Sequence, residues 1–476
     1  MRTRIELDSI GSLPVPGEAY YGIQSLRAKN NFSISGEKLH PVFIKNLAII
    51  KKMAAIANYQ EKKLSGTLAD AICEASDEII AGKFQAEFIV DAIQGGAGTS
   101  ANMNMNEVIA HRASEILGGT KEKYDLVHPN DHVNCSQSTN DVFPTAGKLT
   151  VLELMPHLIS NLLYLENLLE QKATEFSDVI KMGRTQLQDA VPTTLGHSFK
   201  AYQSAVHRDI QHLIAITDEM YALNIGATAI GNGINASAGY SSAIVKNLAR
   251  ELQLPLQQAD DLYDATQNVD GFVRVSGVVK TAAVTLSKMC NDLRLLSSGP
   301  KAGFGEINLP AKQNGSSIMP GKVNPVIPEV VSQIAFQIIG NDVTITMAAE
   351  SGQLELNPFE PIIFHNLFNS IELLTNAVMT LANNCIIGIT VNEEHCRNQV
   401  EQSAGIATAL CPFIGYKKAS EVAKEALKSG NSIRNILLKR NWLNEAKIDE
   451  ILDLKKLAEG IVPANDEITG VLSVTH

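Results

Sequence analysis

Apolar residues recur at helical spacing along most of this chain. Val151, Leu154, Leu158, Leu162, Leu165 and Leu169 are separated by 3, 4, 4, 3 and 4 positions. Phe272, Val275, Val279, Ala282, Leu286, Met289, Leu293 and Leu296 alternate steps of 3 and 4 without a break, and Leu367, Ile371, Leu374, Val378 and Leu381 repeat the pattern. Such spacing keeps the apolar side chains on one narrow stripe of an α-helix, the seam along which long helices pack nearly parallel. A helix over 272–296 would be roughly 37 Å long, more than one small domain needs. The pattern predicts a shared bundle of long helices with more apolar surface than a lone bundle covers, and therefore an oligomer. Shorter helices are predicted at 41–60 and 67–82. Short helices return towards the C-terminus, where CPFIGYKKASEVAKEALKSG reads as a small separate module.

Polar stretches interrupt these patterns. GGAGTSANMNMNE at 95–107 and HPNDHVNCSQSTND at 128–141 read as loops, as do 181–193, 224–240 and 297–325. The last is the longest irregular stretch in the helical region, and a loop of that length in a compact protein is usually functional. It contains GSSIMPGKVNP, Gly315 to Pro325. Glycine permits a hinge, Pro320 and Pro325 bar a continuous helix, and Lys322 offers a compact charge suited to a carboxylate. Asn324 adds a further donor. A plain linker seldom gathers two serines, a lysine and an asparagine beside long apolar helices.

Composition narrows the field. The chain has 476 residues, 45% hydrophobic and 19% charged, with a formal net charge of −11. Two or three domains are expected at this length. Phosphate binding needs a basic surface, so nucleic acid is not an expected partner, and neither is an anionic membrane. An anionic substrate would have to be drawn by a few local cations and backbone donors. The six cysteines form no C-x-x-C pair and no zinc-ligand cluster, which points to reduced thiols in the cytoplasm. No metal ligand set is expected. The first residues lack the apolar stretch of a signal peptide, and no run of 18 apolar residues exists to span a membrane. The GGAGTS loop lacks the following Lys-Ser/Thr of a phosphate cradle.

GSSIMPGKVNP resembles the signature of the fumarase/aspartase superfamily. GTSANMNMNE, QSTND and MGRTQLQDAVP are similar to that family's other active-site segments, and SAGIATALCPFIGY resembles its C-terminal domain. The resemblance spans nearly the whole chain. It implies a mainly α, three-domain subunit with domains at 1–139, 140–394 and 395–476. The middle domain would be a long-helix bundle, and four of them would form the 20-helix core of a homotetramer with active sites shared between subunits. It implies Ser316 as the base that takes a proton from C3 of the substrate. Thr99, Ser138, Thr139 and Ser317 would hold the adjacent carboxylate. Lys322, Asn324 and Thr185 would hold the other. Asn140, with Thr99 and Gln186, would sit near the leaving amine.

The resemblance covers both ammonia elimination and hydration. Fumarases usually carry a histidine where Gln186 stands, paired with a glutamate matching Glu329. Hydroxide needs a general acid to depart, whereas an alkylammonium group leaves as neutral amine. The resemblance therefore implies elimination of ammonia from L-aspartate to give fumarate. It implies no required cofactor, with divalent-cation activation left open. Fumarate hydration is the alternative, and a catalytically silent structural homologue a more remote one. His111, His132, His197 and His365 read as structural residues, with His132 the rival base.

Overall fold

The computed structural model describes residues 2–121 and 123–462, and it is mainly helical. Five long helices dominate it: Thr139–Glu175, Leu195–Thr217, Asp270–Leu296, Val326–Glu350 and Glu360–Asn384. Every residue of the three seams expected at 151–169, 272–296 and 367–381 is buried. The chain packs as two compact units. The first combines the residues up to Ser160 with Asp209–Ala283 and Ile334–Asn376. The second combines Asn161–Arg208, Val284–Gln333 and the described residues from Ala377 onward. The boundaries fall inside long helices, so packing does not follow chain order.

In the first unit, the helices Pro41–Gln60 and Gly66–Ile80 match the sequence expectation closely. Proline at the first turn needs no N–H there, and His40 caps the helix by accepting from the Val42 amide at 3.2 Å. Ser65 caps the second through the Leu68 amide. Below them sits an aromatic cluster of Phe43, Phe143, Phe272, Phe364 and Phe368, all buried. Phe143 and Phe364 stack at 5.3 Å, and Phe43–Phe143 and Phe272–Phe364 meet edge to face at 4.9 Å each. Gly147 leaves room for the Phe364 ring, which a Cβ would strike.

Part of helix Val326–Glu350 in the same unit carries an apolar stripe that is exposed among the described residues. Phe336, Ile339, Val343 and Met347, spaced 3, 4 and 4 apart, are 63%, 37%, 54% and 64% exposed. Its opposite face, with Ala335, Ile338 and Ile345, is buried.

Three expected loops differ in the structure. The stretch 181–193 is a β-hairpin, Ile180–Thr185 paired antiparallel with Gln188–Thr194. It lacks the Asn-Gly or Asp-Gly that marks a two-residue turn. Instead Gln186 and Leu187 adopt φ of 53° and 64°. The stretch 95–107 is helical from Thr99, the start of helix Thr99–Ile116. Asparagine is a poor helix former, but Asn102, Asn104 and Asn106 are buried and their amides donate hydrogen bonds. Residues 128–141 hold a short π-type turn, Pro129–Val133, and the start of helix Thr139–Glu175. In the second unit the C-terminal helices pack onto the hairpin, where Ile180 and Met182 share a core with Val400, Leu410, Val422, Ile436 and Ile451.

Phe364→Ala should cost about 3–5 kcal/mol of stability, read as a lower denaturant midpoint with unchanged slope. A parent-like midpoint would mean that the aromatic cluster does not organise the first unit.

Candidate active site

The expected site residues divide between the two units. Thr99, Ser138, Thr139 and Asn140 lie in the first; Thr185, Gln186, Ser316, Ser317, Lys322 and Asn324 lie in the second.

In the first unit two helices begin at the expected residues. Thr99 opens helix Thr99–Ile116 and is exposed. Gly98 before it has φ 84°, and a Cβ there would run into the Phe143 ring, so only glycine fits. Thr139 opens helix Thr139–Glu175 and is buried, with Ser138 and Asn140 half-buried beside it. Asn102 ties the two starts together by donating to Thr139 Oγ1 at 3.0 Å and to Asn134 Oδ1 at 3.1 Å. The N-terminus of a helix carries the positive end of its dipole. Most first-turn amides here are already bonded, Thr99 to the Gly96 carbonyl, Ala101 to Gln94 Oε1 and Asn140 to Ser138 Oγ. What the two joined starts can offer an anion is therefore the dipole and the side-chain hydroxyls. Ser138 Oγ accepts from the Asn140 amide at 3.2 Å, and Asn140 Nδ2 donates to the Ala229 carbonyl at 2.8 Å.

Beneath this seat lie groups that the sequence did not single out. Asp141 is fully buried and accepts from the amides of Ser138, Gly226 and Thr228, each at 3.0 Å. It thereby holds the 226–228 segment against the helix start. Lys51 is fully buried and donates to Asn134 Oδ1 at 3.0 Å and Gln137 Oε1 at 2.9 Å. Burial pushes the Asp141 carboxyl up to about 7 and draws the Lys51 ammonium down to about 7, each group opposing the other's shift. One signal was available in the sequence: Asn102 and Asn106 stand one helical turn apart, on one face of the helix that Thr99 begins.

In the second unit Thr185 and Gln186 sit at the exposed tip of the hairpin. Two consecutive non-glycine residues in the left-handed region are uncommon. The base of the hairpin is anchored by charge. Glu306 is fully buried between Arg184, hydrogen-bonded to it, and Lys181 at 3.2 Å. Arg184 also lies 4.2 Å over the Phe304 ring and donates to Gln399 at 3.2 Å.

The 315–325 loop closes on itself. Asn324 Nδ2 donates to the Gly315 carbonyl at 2.7 Å, and a Cβ on Gly315 would collide with the Lys322 carbonyl oxygen. Ser316 Oγ accepts from the amides of Ile318 at 3.2 Å and Met319 at 3.0 Å. Ser316 and Asn324 are half-buried; Ser317 and Lys322 are exposed. Ile318 is 82% exposed, an unusual state for isoleucine.

The histidines stand elsewhere. His132 Nδ1 accepts from the His128 amide at 3.0 Å, and burial lowers its pKa. His111 is buried and held down to about 3, hence neutral. His197 meets Thr193 at 3.3 Å, and His365 lies 4.0 Å from Glu37.

The sequence matches two family models, "Lyase" over residues 11–340 and "Fumarase C C-terminus" over 406–459. The chain belongs to the fumarase/aspartase superfamily. Aspartate ammonia-lyase of Helicobacter pylori is 53% identical over 94% of this chain and 96% of its own length. The aspartate ammonia-lyases of Bacillus subtilis and Escherichia coli are 50% and 47% identical, covering 94% and 95% of this chain and 95% and 96% of their own. Among solved structures, the fumarate lyase:delta crystallin of Brucella melitensis bound to cobalt superposes with a TM-score of 0.93 at 48% identity, covering 96% of this chain and 100% of that one. The class II fumarase of Schistosoma mansoni gives 0.93 at 36% identity, covering 96% and 99%.

Removing one partner of a buried ion pair leaves the other charge uncompensated. Glu306→Gln should therefore cost about 3–5 kcal/mol and speed amide exchange across 184–189. Unchanged protection there would show that the hairpin tip is held by something other than this pair.

Proposed function

We propose that this chain eliminates ammonia from L-aspartate to give fumarate, with Ser316 as the base. Identity of 47–53% to aspartate ammonia-lyases over nearly the whole length supports the reaction. The observation that carries the catalytic assignment is the Ser316 oxygen with two backbone N–H donors. A free serine hydroxyl is too weak an acid to ionise near neutral pH, and hydrogen bonds to the charged form favour it. Two such bonds stabilise an alkoxide before the substrate arrives.

The alkoxide takes the proton from C3. The electron pair left behind moves into the adjacent carboxylate, which becomes a dianionic aci-carboxylate. That group is held by Thr99, Ser138, Thr139 and Ser317, where the two helix starts supply donors to charge that grows during the step. Lys322, Asn324 and Thr185 hold the other carboxylate. Collapse of the intermediate forms the C2–C3 double bond and releases ammonia near Asn140 and Gln186. The ammonium group needs no added proton to leave, so Gln186 in place of a histidine does not impede it. Hydroxyl, amide and ammonium groups suffice for this chemistry, so no cofactor is assigned; a divalent cation would act as an activator.

The same reading extends to the assembly. A three-domain subunit with domains at 1–139, 140–394 and 395–476 would form a homotetramer with a 20-helix core. Its active sites would draw their parts from different subunits. The uncovered stripe of Phe336, Ile339, Val343 and Met347 and the exposed Ile318 support such partners. The six cysteines are all free, which supports a reducing, cytoplasmic setting.

Purified protein should form fumarate from L-aspartate far faster than from L-malate; the reverse order would assign hydration instead. Ser316→Ala should lower kcat by about 10²–10⁴-fold or more while a dicarboxylate analogue still binds. Lys322→Ala should chiefly weaken that binding. Near-normal turnover by Ser316→Ala would move the base elsewhere, with His132 next in line.

Subunit sharing has its own test. Ser316→Ala and the double variant Thr185→Ala/Gln186→Ala are each expected to be inactive. Unfolded together and refolded, they should regain activity in hybrids whose sites draw on undamaged segments. Hybrids shown to contain both chains, yet still inactive, would confine each site to one chain.

A further inference from the structure

The anion seat rests on a turn, and that turn is held from below by a buried cation. Helix Pro41–Gln60 presents Lys51 and Asn58, about two turns apart on one face. Asn58 accepts from Ser136 Oγ at 2.7 Å and donates to the Cys135 carbonyl at 2.9 Å. Lys51 donates to Asn134 and Gln137. Gln137 Nε2 is occupied by the carbonyls of Val133 at 2.9 Å and Cys135 at 3.1 Å, so its oxygen must face the ammonium. Asn134 Oδ1 receives three donors: Lys51 at 3.0 Å, Asn102 at 3.1 Å and Asn106 at 3.2 Å. Asn102 then passes the connection to Thr139 Oγ1 at 3.0 Å.

The chemistry of Lys51 is unusual. Its side chain is fully buried, and among the described residues its ammonium has no carboxylate within ion-pair distance. Asp141 acts on it only through space and already accepts three backbone amides. A buried charge without a counter-ion is costly. If only hydrogen bonding were needed, a neutral amide would serve at lower cost. Asp141 offsets part of that cost through space, and an anion seated on Ser138 and Thr139 would add a second counter-charge.

We propose that Lys51 is a positioning residue for the carboxylate seat, locking the Asn134–Asn140 turn and supplying from beneath it the positive charge that the developing aci-carboxylate needs. This rests on the elimination proposed above. Because the intermediate carries one more negative charge than the bound substrate, the cation favours the transition state over the ground state. Its loss acts on kcat more than on KM.

Two variants separate charge from scaffolding, assayed with L-aspartate at pH 6, below the value of about 7 to which burial draws Lys51. Lys51→Gln keeps an N–H donor and removes the charge. Asn134→Asp keeps the acceptor for Lys51, Asn102 and Asn106 and neutralises the ammonium, at the loss of the bond that Asn134 Nδ2 donates to the Gln137 carbonyl at 3.2 Å. Both should lower kcat by about 10–100-fold with KM changed less than fivefold, with a melting temperature and oligomeric state near those of the parent for at least one of them. A folded variant of either kind with parental kcat would overturn the proposal, as would a rise in KM alone. If Lys51→Gln does not fold, Asn134→Asp decides. An inactive parent would instead overturn the elimination reading, and this proposal with it.

Discussion

One amide oxygen holds the first half of the site together. Asn134 Oδ1 takes hydrogen bonds from Lys51, Asn102 and Asn106, which come from the helices Pro41–Gln60 and Thr99–Ile116. Asn134 itself lies in the turn leading into helix Thr139–Glu175. Three elements are thus fixed to one atom, and two of them begin at residues assigned to the substrate. The arrangement has a cost, since Asn102 Oδ1 and Asn106 Oδ1 are buried without a partner among the described residues. A packed apolar junction would avoid it but could not aim N–H groups at one point.

The electrostatics follow from this junction. The chain carries a net charge of −11, so its overall field opposes the two carboxylates of the proposed substrate. Attraction has to come from groups whose charge or dipole is fixed locally: two helix N-termini, the buried Lys51, and Lys322 on the closed 315–325 loop. In the proposed mechanism the same device recurs at Ser316, where the charge would belong to the protein and two backbone amides already donate to the oxygen that would carry it. In both places the donors are held before any charge appears, which is the condition for strong stabilisation of a transition state.

Much of this architecture was legible in the sequence because it depends on period. The three seams are helices with every seam residue buried, and the helix predicted at 41–60 is present as Pro41–Gln60. The ten residues assigned from motif resemblance all fall on helix starts, the hairpin tip or the closed loop. What escaped depends on tertiary override. The Asn-rich stretch after Thr99 looked like a loop because asparagine disfavours helices, and only its partners make it helical. The 181–193 hairpin has no glycine turn and no clean alternation, since Lys181 points inward to a buried Glu306. Lys51 reads as an ordinary helical lysine, because burial of a charge is invisible until its acceptors are in place.

The central claim is that carboxylate recognition and proton abstraction come from preorganised donors on segments far apart in the chain. The most direct measurement is a structure of the assembled protein with a non-reactive dicarboxylate bound. One carboxylate should lie about 2.7–3.2 Å from donors of Thr99, Ser138 and Thr139, with Ser316 Oγ facing the adjacent carbon. A ligand seated away from the two helix starts, or one whose reactive carbon faces His132 instead of Ser316, would contradict the account.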